Sequence, residues 1–398
     1  MYATLTSQQK NAVLISMAKL ISEEKSILLE ANKTDVKNYS GNDLAMVDRL
    51  KVDDIKIKEM ILSLEKLVAD VDPIGKELYH FTHENGLKIT NKTAPFGTIL
   101  IIYESRPDVT VEAAGIAFKS GNKILLKGGK ESVNSNLKIV DLWHKALAQN
   151  KISTEWVEYL NYSRTETQSF LQHPTQKVDL IVPRGGEKLI AFVKQYATCP
   201  VIVSGRGNNF IYVDVEADLE IALKVILNAK NTKISACNAA DKVLINSNLP
   251  NKVAFIKKLI GKLKEFNVEI LGDGALSIFE NVKAFEDEAV WCEEFLDYKI
   301  VLGSVNYFEE AIEKINKYGG GHSAVIITKN NKTAQVFMES VDSAAVYQNA
   351  STRFTDGGQL GLGGEVAIST DKLHHRGPMG LQHLVTNKWY IYGNGQIR

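Results

Sequence analysis

The chain has 398 residues, of which 44% are hydrophobic and 24% charged, and its 47 basic residues balance 47 acidic ones. This length exceeds the size at which one hydrophobic core usually stops growing, so we expect two domains with room for a small appendage. The zero net charge argues against a nucleic-acid-binding surface, and no apolar run approaches the roughly 18 residues of a membrane span.

The three cysteines, Cys199, Cys237 and Cys292, are an odd number and show neither a CxxC motif nor a Cys/His spacing typical of zinc. We therefore expect free thiols in a reducing compartment, and no metal site. The first ten residues have neither the basic nor the apolar segment of a signal peptide. The sequence predicts a soluble, cytoplasmic protein.

Residues 6–31 and 52–69 repeat apolar side chains at helical spacing, which predicts surface-packed helices at the start of the chain. Two β-prone segments follow, 77–81 and 87–90, joined through Glu84-Asn85-Gly86. Asn-Gly between such segments is a strong hairpin signal. Because this hairpin lies outside any alternation of strands and helices, we expect an arm that pairs with another subunit.

A regular alternation of strands and helices starts at residue 98. Its predicted strands are 98–103, 124–126, 156–160, 178–182 and 201–203, with helices that include 111–118 and 132–149. A second alternation follows Gly205-Arg206-Gly207, with strands at 210–213, 242–245, 299–303 and 323–328, and helices from 218, from 251 and up to 317. Such patterns predict parallel sheets covered on both faces, with ligands at the carboxyl ends of the strands.

A short polar segment, residues 233–240, presents Cys237 between a helical run at 217–230 and the strand at 242–245. A thiol on a connection between rigid elements is suited to catalysis. A lone cysteine is also often a small buried hydrophobic residue, and residue type alone favours that alternative.

No GxGxxG, GxxxxGK[ST], HExxH or GxSxG motif occurs, so ordinary Rossmann dehydrogenases, P-loop enzymes, zincins and α/β-hydrolases lack their fingerprints. Two segments offer another way to bind a phosphate: Lys127-Gly128-Gly129-Lys130-Glu131 and Pro183-Arg184-Gly185-Gly186. In each, a strand ends in glycines and a helix begins, so backbone N–H groups converge on an anion. Tight turns without a ligand have the same pattern.

Three further positions carry polar groups suited to anions. Arg106, in the segment 104–109, is a planar bidentate donor next to Pro107, which fits a first helical turn. The others are the polar segment 349–356 and His322, which follows three glycines. Each has an ordinary alternative, namely a surface ion pair, a solvated loop and a structural histidine.

Motifs spread along the chain carry a family resemblance. They are Tyr103-Glu104-Ser105-Arg106-Pro107-Asp108-Val109-Thr110, the two glycine turns, Ser235-Ala236-Cys237-Asn238-Ala239, residues 349–357, His375-Arg376-Gly377-Pro378-Met379-Gly380-Leu381 and Gly393-Asn394-Gly395-Gln396-Ile397-Arg398. Together they closely resemble the γ-glutamyl phosphate reductases, or glutamate-5-semialdehyde dehydrogenases, of the aldehyde dehydrogenase superfamily. The resemblance runs over nearly the whole chain.

The resemblance implies an α/β, aldehyde dehydrogenase-like fold. It comprises a Rossmann-type cofactor-binding domain (1–75 and 97–204), an α/β catalytic domain (205–375) and a small β oligomerisation arm with a C-terminal strand (76–96 and 376–398). The implied reaction reduces L-glutamate 5-phosphate with NADPH to L-glutamate 5-semialdehyde and phosphate, in proline biosynthesis. Another acyl-phosphate or aldehyde dehydrogenase of the superfamily is the alternative. We also expect a homo-oligomer and, as a functional partner, glutamate 5-kinase.

In this family the cysteine of the Cys-Asn-Ala motif attacks the acyl phosphate, so Cys237 is the expected nucleophile, with Asn238 beside it. The resulting thioester would accept hydride. The segment 203–207, where hydrolytic members of the superfamily carry a glutamate base, has no carboxylate. Since deacylation by water needs a positioned base, this absence favours phosphate chemistry over hydrolysis.

The oxyanion is expected to bind the Cys237 backbone N–H and a side chain near Asp108. Because an ionised aspartate repels an oxyanion, either Asp108 points elsewhere, toward the substrate ammonium, or Asn238 supplies the second donor. The candidate ligands of the substrate carboxylate and acyl phosphate are Arg106 and Arg353, assisted by Ser351, Thr352 and His322.

By analogy with the superfamily, the cofactor lies across the glycine turns. Lys127 is expected near the adenosine ribose, Gly185 and Gly186 near the pyrophosphate, and Glu294 at the nicotinamide ribose. Lys127 and Lys130, which flank Gly128 and Gly129, suit a 2′-phosphate, in line with the family's preference for NADPH. The sequence itself leaves NADPH and NADH open.

Overall fold

The helices and strands are those of a computed structural model, which describes residues 5–41 and 44–398. The α-helices, α1 to α12, are Ser7–Glu23, Lys25–Asn38, Leu44–Leu50, Asp54–Ala69, Pro107–Lys119, Val133–Gln149, Arg164–Gln172, Glu187–Tyr196, Leu219–Asn231, Lys252–Glu265, Phe308–Tyr318 and Asn331–Ser340. The strands, β1 to β16, are Glu77–Thr82, Lys88–Pro95, Thr98–Tyr103, Lys123–Lys127, Val157–Tyr159, Leu180–Arg184, Asn209–Val213, Ala240–Asn246, Glu269–Gly272, Lys283–Ala284, Lys299–Val305, Ser323–Ile327, Ala345–Gln348, Ala367–Ser369, Gly377–Met379 and Val385–Tyr392.

The chain divides into two units. The first comprises Met1–Val203, Gly361–Ala367 and Met379–Arg398, and the second comprises Ser204–Leu360 and Ile368–Pro378. The second unit starts one residue before the predicted catalytic domain, and residues 361–367, predicted in that domain, fall in the first unit. The predictions for residues 1–4 and 42–43 lie outside the described residues.

The first unit contains a four-stranded parallel sheet with the strand order β5-β4-β3-β6. In its central strand β3, every residue after Thr98 is buried. Both faces of this strand are packed. Ile99, Ile101 and Tyr103 belong to a core with α1, α4, α5 and α6, whereas Leu100 belongs to a second core with α7 and α8. This covering of both faces confirms the predicted parallel α/β sheet.

The same unit carries a separate antiparallel sheet with the strand order β1-β2-β16. The turn between β1 and β2 closes through a hydrogen bond from His83 N to Leu87 O (2.9 Å), and Gly86 has a φ of 89°, which glycine adopts without strain. Tyr79 and Trp389 are exposed and pack edge to face, with ring centroids 5.8 Å apart. The predicted hairpin is present, and its pairing with another subunit stays a prediction.

The second unit is built on a seven-stranded sheet, β10-β9-β11-β8-β7-β12-β13, whose paired strands are all parallel. Helices α9 and α10 cover one face, and α11 and α12 cover the other. Helix α9 starts where predicted because the Asp218 side chain caps it, accepting hydrogen bonds from Glu220 N (3.1 Å) and Ile221 N (3.2 Å). Every residue of β8 is buried.

Several local predictions differ from the structure. The predicted strand 201–203 is wrong, because the chain makes only an isolated bridge between Ile181 and Val201 there. The predicted helix 6–31 is interrupted at Glu24, which separates α1 from α2. Strands β9, β10 and β13 and helix α12 were not predicted. None of the helices in the described ranges is long and apolar enough to cross a membrane.

Candidate active site

Cys237 lies in the turn between α9 and β8, at the amino end of that strand. Gly207 and His322 occupy corresponding places just before β7, which pairs with β8, and β12, which pairs with β7. The cysteine turn thus lies at the opposite end of its strand from the carboxyl end at which we expect ligands. The glycine turns of the first unit do follow strands, since Lys127 and Arg184 end β4 and β6.

Asn209 fastens the cysteine turn to the sheet. Its buried Nδ2 donates toward the carbonyl oxygens of Cys237 (2.7 Å), Ala239 (2.7 Å) and Gly207 (2.8 Å). Its Oδ1 accepts a hydrogen bond from Ser323 N at 3.0 Å. Asn209 is not among the predicted site residues, although a polar side chain at the start of an otherwise apolar strand is a signal.

Gly207 is required by the same packing. A Cβ atom at this position would overlap the carbonyl group of Cys237. The half-buried Cys237 thiol thus sits on a turn held closely against the residues before β7. Within the described residues, Cys199, Cys237 and Cys292 form no disulfide.

Asn238 ties the cysteine turn to the segment 349–356. Its Nδ2 donates to Thr355 O (2.9 Å) and Arg353 O (3.3 Å), and Thr352 Oγ1 donates to Asn238 O at 2.6 Å. Because both amide hydrogens point to these carbonyls, Asn238 has none left for an oxyanion in this structure. Its side chain positions the turn.

Arg353 offers open hydrogen-bond donors in the second unit. Among the described residues, its Nε and Nη1 are buried and have no partner, while its backbone N donates to Ser351 Oγ at 3.3 Å. Burial lowers the pKa of Arg353, and the negative charges of Cys237 and Asp356 oppose that shift. Arg353 also contacts the residue after Cys237, since its backbone carbonyl accepts from Asn238 Nδ2 at 3.3 Å. A guanidinium at this turn with unused N–H groups is suited to binding an anionic substrate group.

His322 is 1% exposed, and its Nδ1 lies 2.8 Å from Ser323 Oγ. That hydroxyl contacts Thr355 Oγ1 (2.7 Å), which in turn contacts the Tyr347 hydroxyl (2.7 Å). Burial lowers the pKa of His322 to about 4, so the ring is neutral at pH 7. Any substrate contact through its unpartnered Nε2 is therefore made by a neutral imidazole.

Glu294 is half-buried in a segment without helix or strand, between Cys292 and Tyr298. Its two neighbours are tied to β8: Phe295 N donates to Asp241 Oδ2 at 2.9 Å, and Lys242 Nζ donates to Glu293 O at 2.7 Å. Burial lowers the pKa of Lys242 to about 7, with the charge of Asp241 opposing the shift.

In the first unit, Arg106 and Asp108 face each other at the start of α5, with Pro107 in its first turn. Arg106 Nη2 lies 2.7 Å from Asp108 Oδ2, whereas Oδ1 is buried without a partner in the described part of the chain. Although burial opposes both charges, their attraction raises the pKa of Arg106 and lowers that of Asp108. Asp108 is therefore ionised and held by Arg106.

The turn after β4 needs both of its glycines. A Cβ at Gly128 would overlap Asn136 Nδ2, and one at Gly129 would overlap Ser105 Oγ. Lys127 Nζ donates to Gly128 O at 2.7 Å, and burial lowers the pKa of Lys127. The side chain of Lys130 is exposed, so an anion can reach it.

The turn after β6 is occupied by a carboxylate. Gly186 N donates to Glu104 Oε1 at 2.9 Å, and a Cβ at Gly185 would lie 2.7 Å from the Glu104 carboxyl carbon. The negative charge sits at the start of α8, where the pyrophosphate was predicted. A pyrophosphate can use the Gly186 N–H only if Glu104 moves away.

A model of the aldehyde dehydrogenase family matches residues 2–278, about 70% of the chain. The chain belongs to this family. The γ-glutamyl phosphate reductase of Clostridium botulinum (strain Eklund 17B) is 43% identical over 396 residues, which are 99% of this chain and 95% of the relative. The resemblance seen in the motifs, and the predicted fold class, are thereby confirmed.

Solved structures of other proteins have the same fold. The crystal structure of γ-glutamyl phosphate reductase from Thermotoga maritima is 40% identical, with a TM-score of 0.94 over 99% of this chain and 95% of that chain. An engineered glycolyl-CoA reductase with bound NADP+ is 16% identical, with a TM-score of 0.67 over 98% of this chain and 93% of its own. This second likeness shows the fold alone.

Proposed function

We propose that this aldehyde dehydrogenase family member reduces L-glutamate 5-phosphate to L-glutamate 5-semialdehyde, with release of phosphate, in proline biosynthesis. Its full-length relatives named γ-glutamyl phosphate reductase support this assignment. The geometric observation that carries it is the Cys237 turn beside Arg353, whose Nε and Nη1 are buried and unpartnered. A thiol next to unpartnered guanidinium donors fits a substrate that is an acyl phosphate.

Cys237 and Arg353 carry out the first step. The Cys237 thiolate attacks the acyl carbon, a C–S bond forms, and the C–O bond to phosphorus breaks with phosphate as the leaving group. Arg353 binds the phosphoryl group through its free donors, with Ser351 and Thr352 in the same 3₁₀ turn and the neutral His322 assisting. The product on the protein is a Cys237 thioester.

The second step regenerates the Cys237 thiolate. Bound NADPH supplies the hydride that reduces the thioester. The Cys237 backbone N–H is the proposed donor to the carbonyl oxygen while charge develops there, since both amide hydrogens of Asn238 are engaged. Collapse of the C–S bond releases the aldehyde and restores the Cys237 thiolate.

The residues that would hold the cofactor fit it at two of three places. Lys127 and Lys130 offer ammonium groups for the adenosine ribose and a 2′-phosphate at the Gly128-Gly129 turn. Glu294 offers a half-buried carboxylate for the nicotinamide ribose. At Gly185 and Gly186, by contrast, the Glu104 carboxylate occupies the predicted pyrophosphate position.

Two further substrate ligands are proposed from the start of α5. Arg106 is the proposed ligand of the substrate carboxylate, and Asp108, ionised and with Oδ1 unpartnered, is the proposed ligand of its ammonium group. The exposed aromatic side chains of the β1-β2-β16 sheet support a homo-oligomer. Cytoplasmic localisation and a functional link to glutamate 5-kinase remain predictions.

The experiment runs the reaction in reverse with purified full-length protein. Glutamate 5-semialdehyde, NADP+ and phosphate should yield NADPH, and omission of phosphate should abolish the signal. Cys237→Ser should abolish activity, whereas the matched control Cys199→Ser should keep it. Arg353→Gln should raise the KM for phosphate about tenfold, because it removes charge-assisted hydrogen bonds.

Three other results would contradict the proposed reaction or parts of it. Phosphate-independent oxidation of the semialdehyde would contradict the proposal. Turnover of a different acyl phosphate, with none of glutamyl phosphate, would favour the alternative, another dehydrogenase of the superfamily. Full activity of Cys237→Ser would exclude the thioester.

A further inference from the structure

A buried charged cluster adjoins the cysteine turn in the second unit. Lys230, in the last turn of α9, and Lys242, in β8, have 0% exposure, and Asp241 has 2%. Buried charges are costly unless they are paired or hydrogen-bonded. Lys230 Nζ lies 2.8 Å from Asp241 Oδ1, so these two charges satisfy each other. The steps proposed above use none of the three residues.

The remaining polar groups of the cluster converge on one segment. Asp241 Oδ2 accepts a hydrogen bond from Phe295 N at 2.9 Å, and Lys242 Nζ donates to Glu293 O at 2.7 Å. Lys242 Nζ also lies 3.9 Å from the centroid of the Phe295 ring, a favourable cation–π contact. Glu294 is therefore bracketed on both sides by contacts to two consecutive residues of β8.

These contacts replace the support that secondary structure would give. The segment 293–296 is neither helix nor strand, so it is not held by the regular backbone hydrogen bonds of such elements. Asp241 and Lys242 lie four and five residues after Cys237. Both belong to β8, which begins at Ala240. One buried strand thus sets the position of both the nucleophile and Glu294.

We propose that Asp241 and Lys242 are positioning residues for cofactor binding, which hold Glu294 where it meets the nicotinamide ribose. This inference rests on the proposed function, which assigns Glu294 to that ribose. Lys230 neutralises Asp241, so the carboxylate can accept the Phe295 N–H without leaving an unpaired buried charge. A ribose ligand displaced by about 1 Å loses much of its effect.

The test measures NADPH binding to the full chain directly, by the fluorescence of bound NADPH. Lys242→Met keeps an unbranched stem but removes the ammonium group, and it should weaken NADPH binding about tenfold. KM for NADPH should change more than kcat. Lys257→Met, at an exposed position of α10, is the matched control and should leave the affinity unchanged. Asp241→Asn should weaken binding too, and it decides the question if Lys242→Met does not fold.

A double-mutant cycle with Glu294→Ala separates positioning from a general structural role. If Lys242 acts through Glu294, the double variant binds NADPH no more weakly than Glu294→Ala alone. Additive losses would overturn the proposal, as would wild-type affinity in Asp241→Asn and Lys242→Met. If the proposed function is wrong, the result is distinguishable from these outcomes. The wild type would then lack phosphate-dependent activity, while Lys242 and Glu294 would still be coupled in NADPH binding.

Discussion

Asn209 holds the cysteine turn, and replacing it by alanine should both destabilise the protein and slow its chemistry. Its amide group serves three carbonyl oxygens within 2.8 Å and one N–H at 3.0 Å, at a site with 0% exposure. The NH2 group has two hydrogens, so the amide makes two full donor bonds and one acceptor bond. At a net contribution of about 1 kcal/mol for each, Asn209→Ala should lower the free energy of unfolding by about 3 kcal/mol.

The effect on catalysis follows from the same contacts. Because Nδ2 binds the carbonyl of Cys237 itself, its loss lets the thiol drift, and misplacement on the order of 1 Å can lower kcat by about 10²-fold. Urea unfolding followed by tryptophan fluorescence, and the phosphate-dependent assay, measure the two effects.

Asn228→Ala is the control for this substitution. Asn228 makes an exposed hydrogen bond to Thr232 Oγ1 (3.3 Å), so its removal should change the unfolding free energy by less than about 0.5 kcal/mol. If Asn209→Ala stays within about 1 kcal/mol of wild type and keeps its kcat, the reasoning that this amide holds the turn is refuted.

Two further predictions concern charges. Glu104→Gln removes the negative charge at Gly186 N, so NADPH should bind about threefold to tenfold more tightly in a fluorescence titration, and unchanged affinity would contradict a pyrophosphate at this turn. Burial lowers the pKa of His322 from 6.5 to about 4. As the pH falls, the imidazole is therefore protonated in the unfolded chain at a higher pH than in the folded protein. The free energy of unfolding should therefore drop by about 2 kcal/mol from this group between pH 7 and pH 5, and His322→Asn should lose that part of the pH dependence in urea titrations.

Elements with strong local signals could be predicted from the sequence. The apolar run 98–103 is β3 with the same bounds, and the Asn-Gly turn closes the hairpin of β1 and β2. Both signals lie within a few residues, where side-chain alternation and turn chemistry decide the backbone. The run 201–203 has the same composition but lacks a partner strand beyond one bridge, and composition does not reveal partners.

Contacts across long sequence separations could not be predicted. The carboxylate of Glu104 reaches Gly186, 82 residues away, and Asn209 reaches the Cys237 carbonyl, 28 residues away. Cys237 could be proposed as the nucleophile from its motif alone, whereas the occupied amide of Asn238 changes that residue from a candidate donor to a support for the turn. Motifs identify residue types, and only the fold identifies what each polar atom already binds.

The place of Cys237, the proposed nucleophile, follows from the strand order once that order is known. Neighbouring strands lie about 4.8 Å apart, so residues that precede adjacent parallel strands become neighbours in space. With β8, β7 and β12 side by side, Cys237, Gly207 and His322 are brought to one edge although 115 residues separate Gly207 from His322. The rule that ligands gather at carboxyl ends applies to loops that follow a strand, whereas the turn with the proposed nucleophile precedes one. A thiol at the amino end depends on side chains to fasten its turn, which is why Asn209, the first residue of β7, carries so many of the contacts.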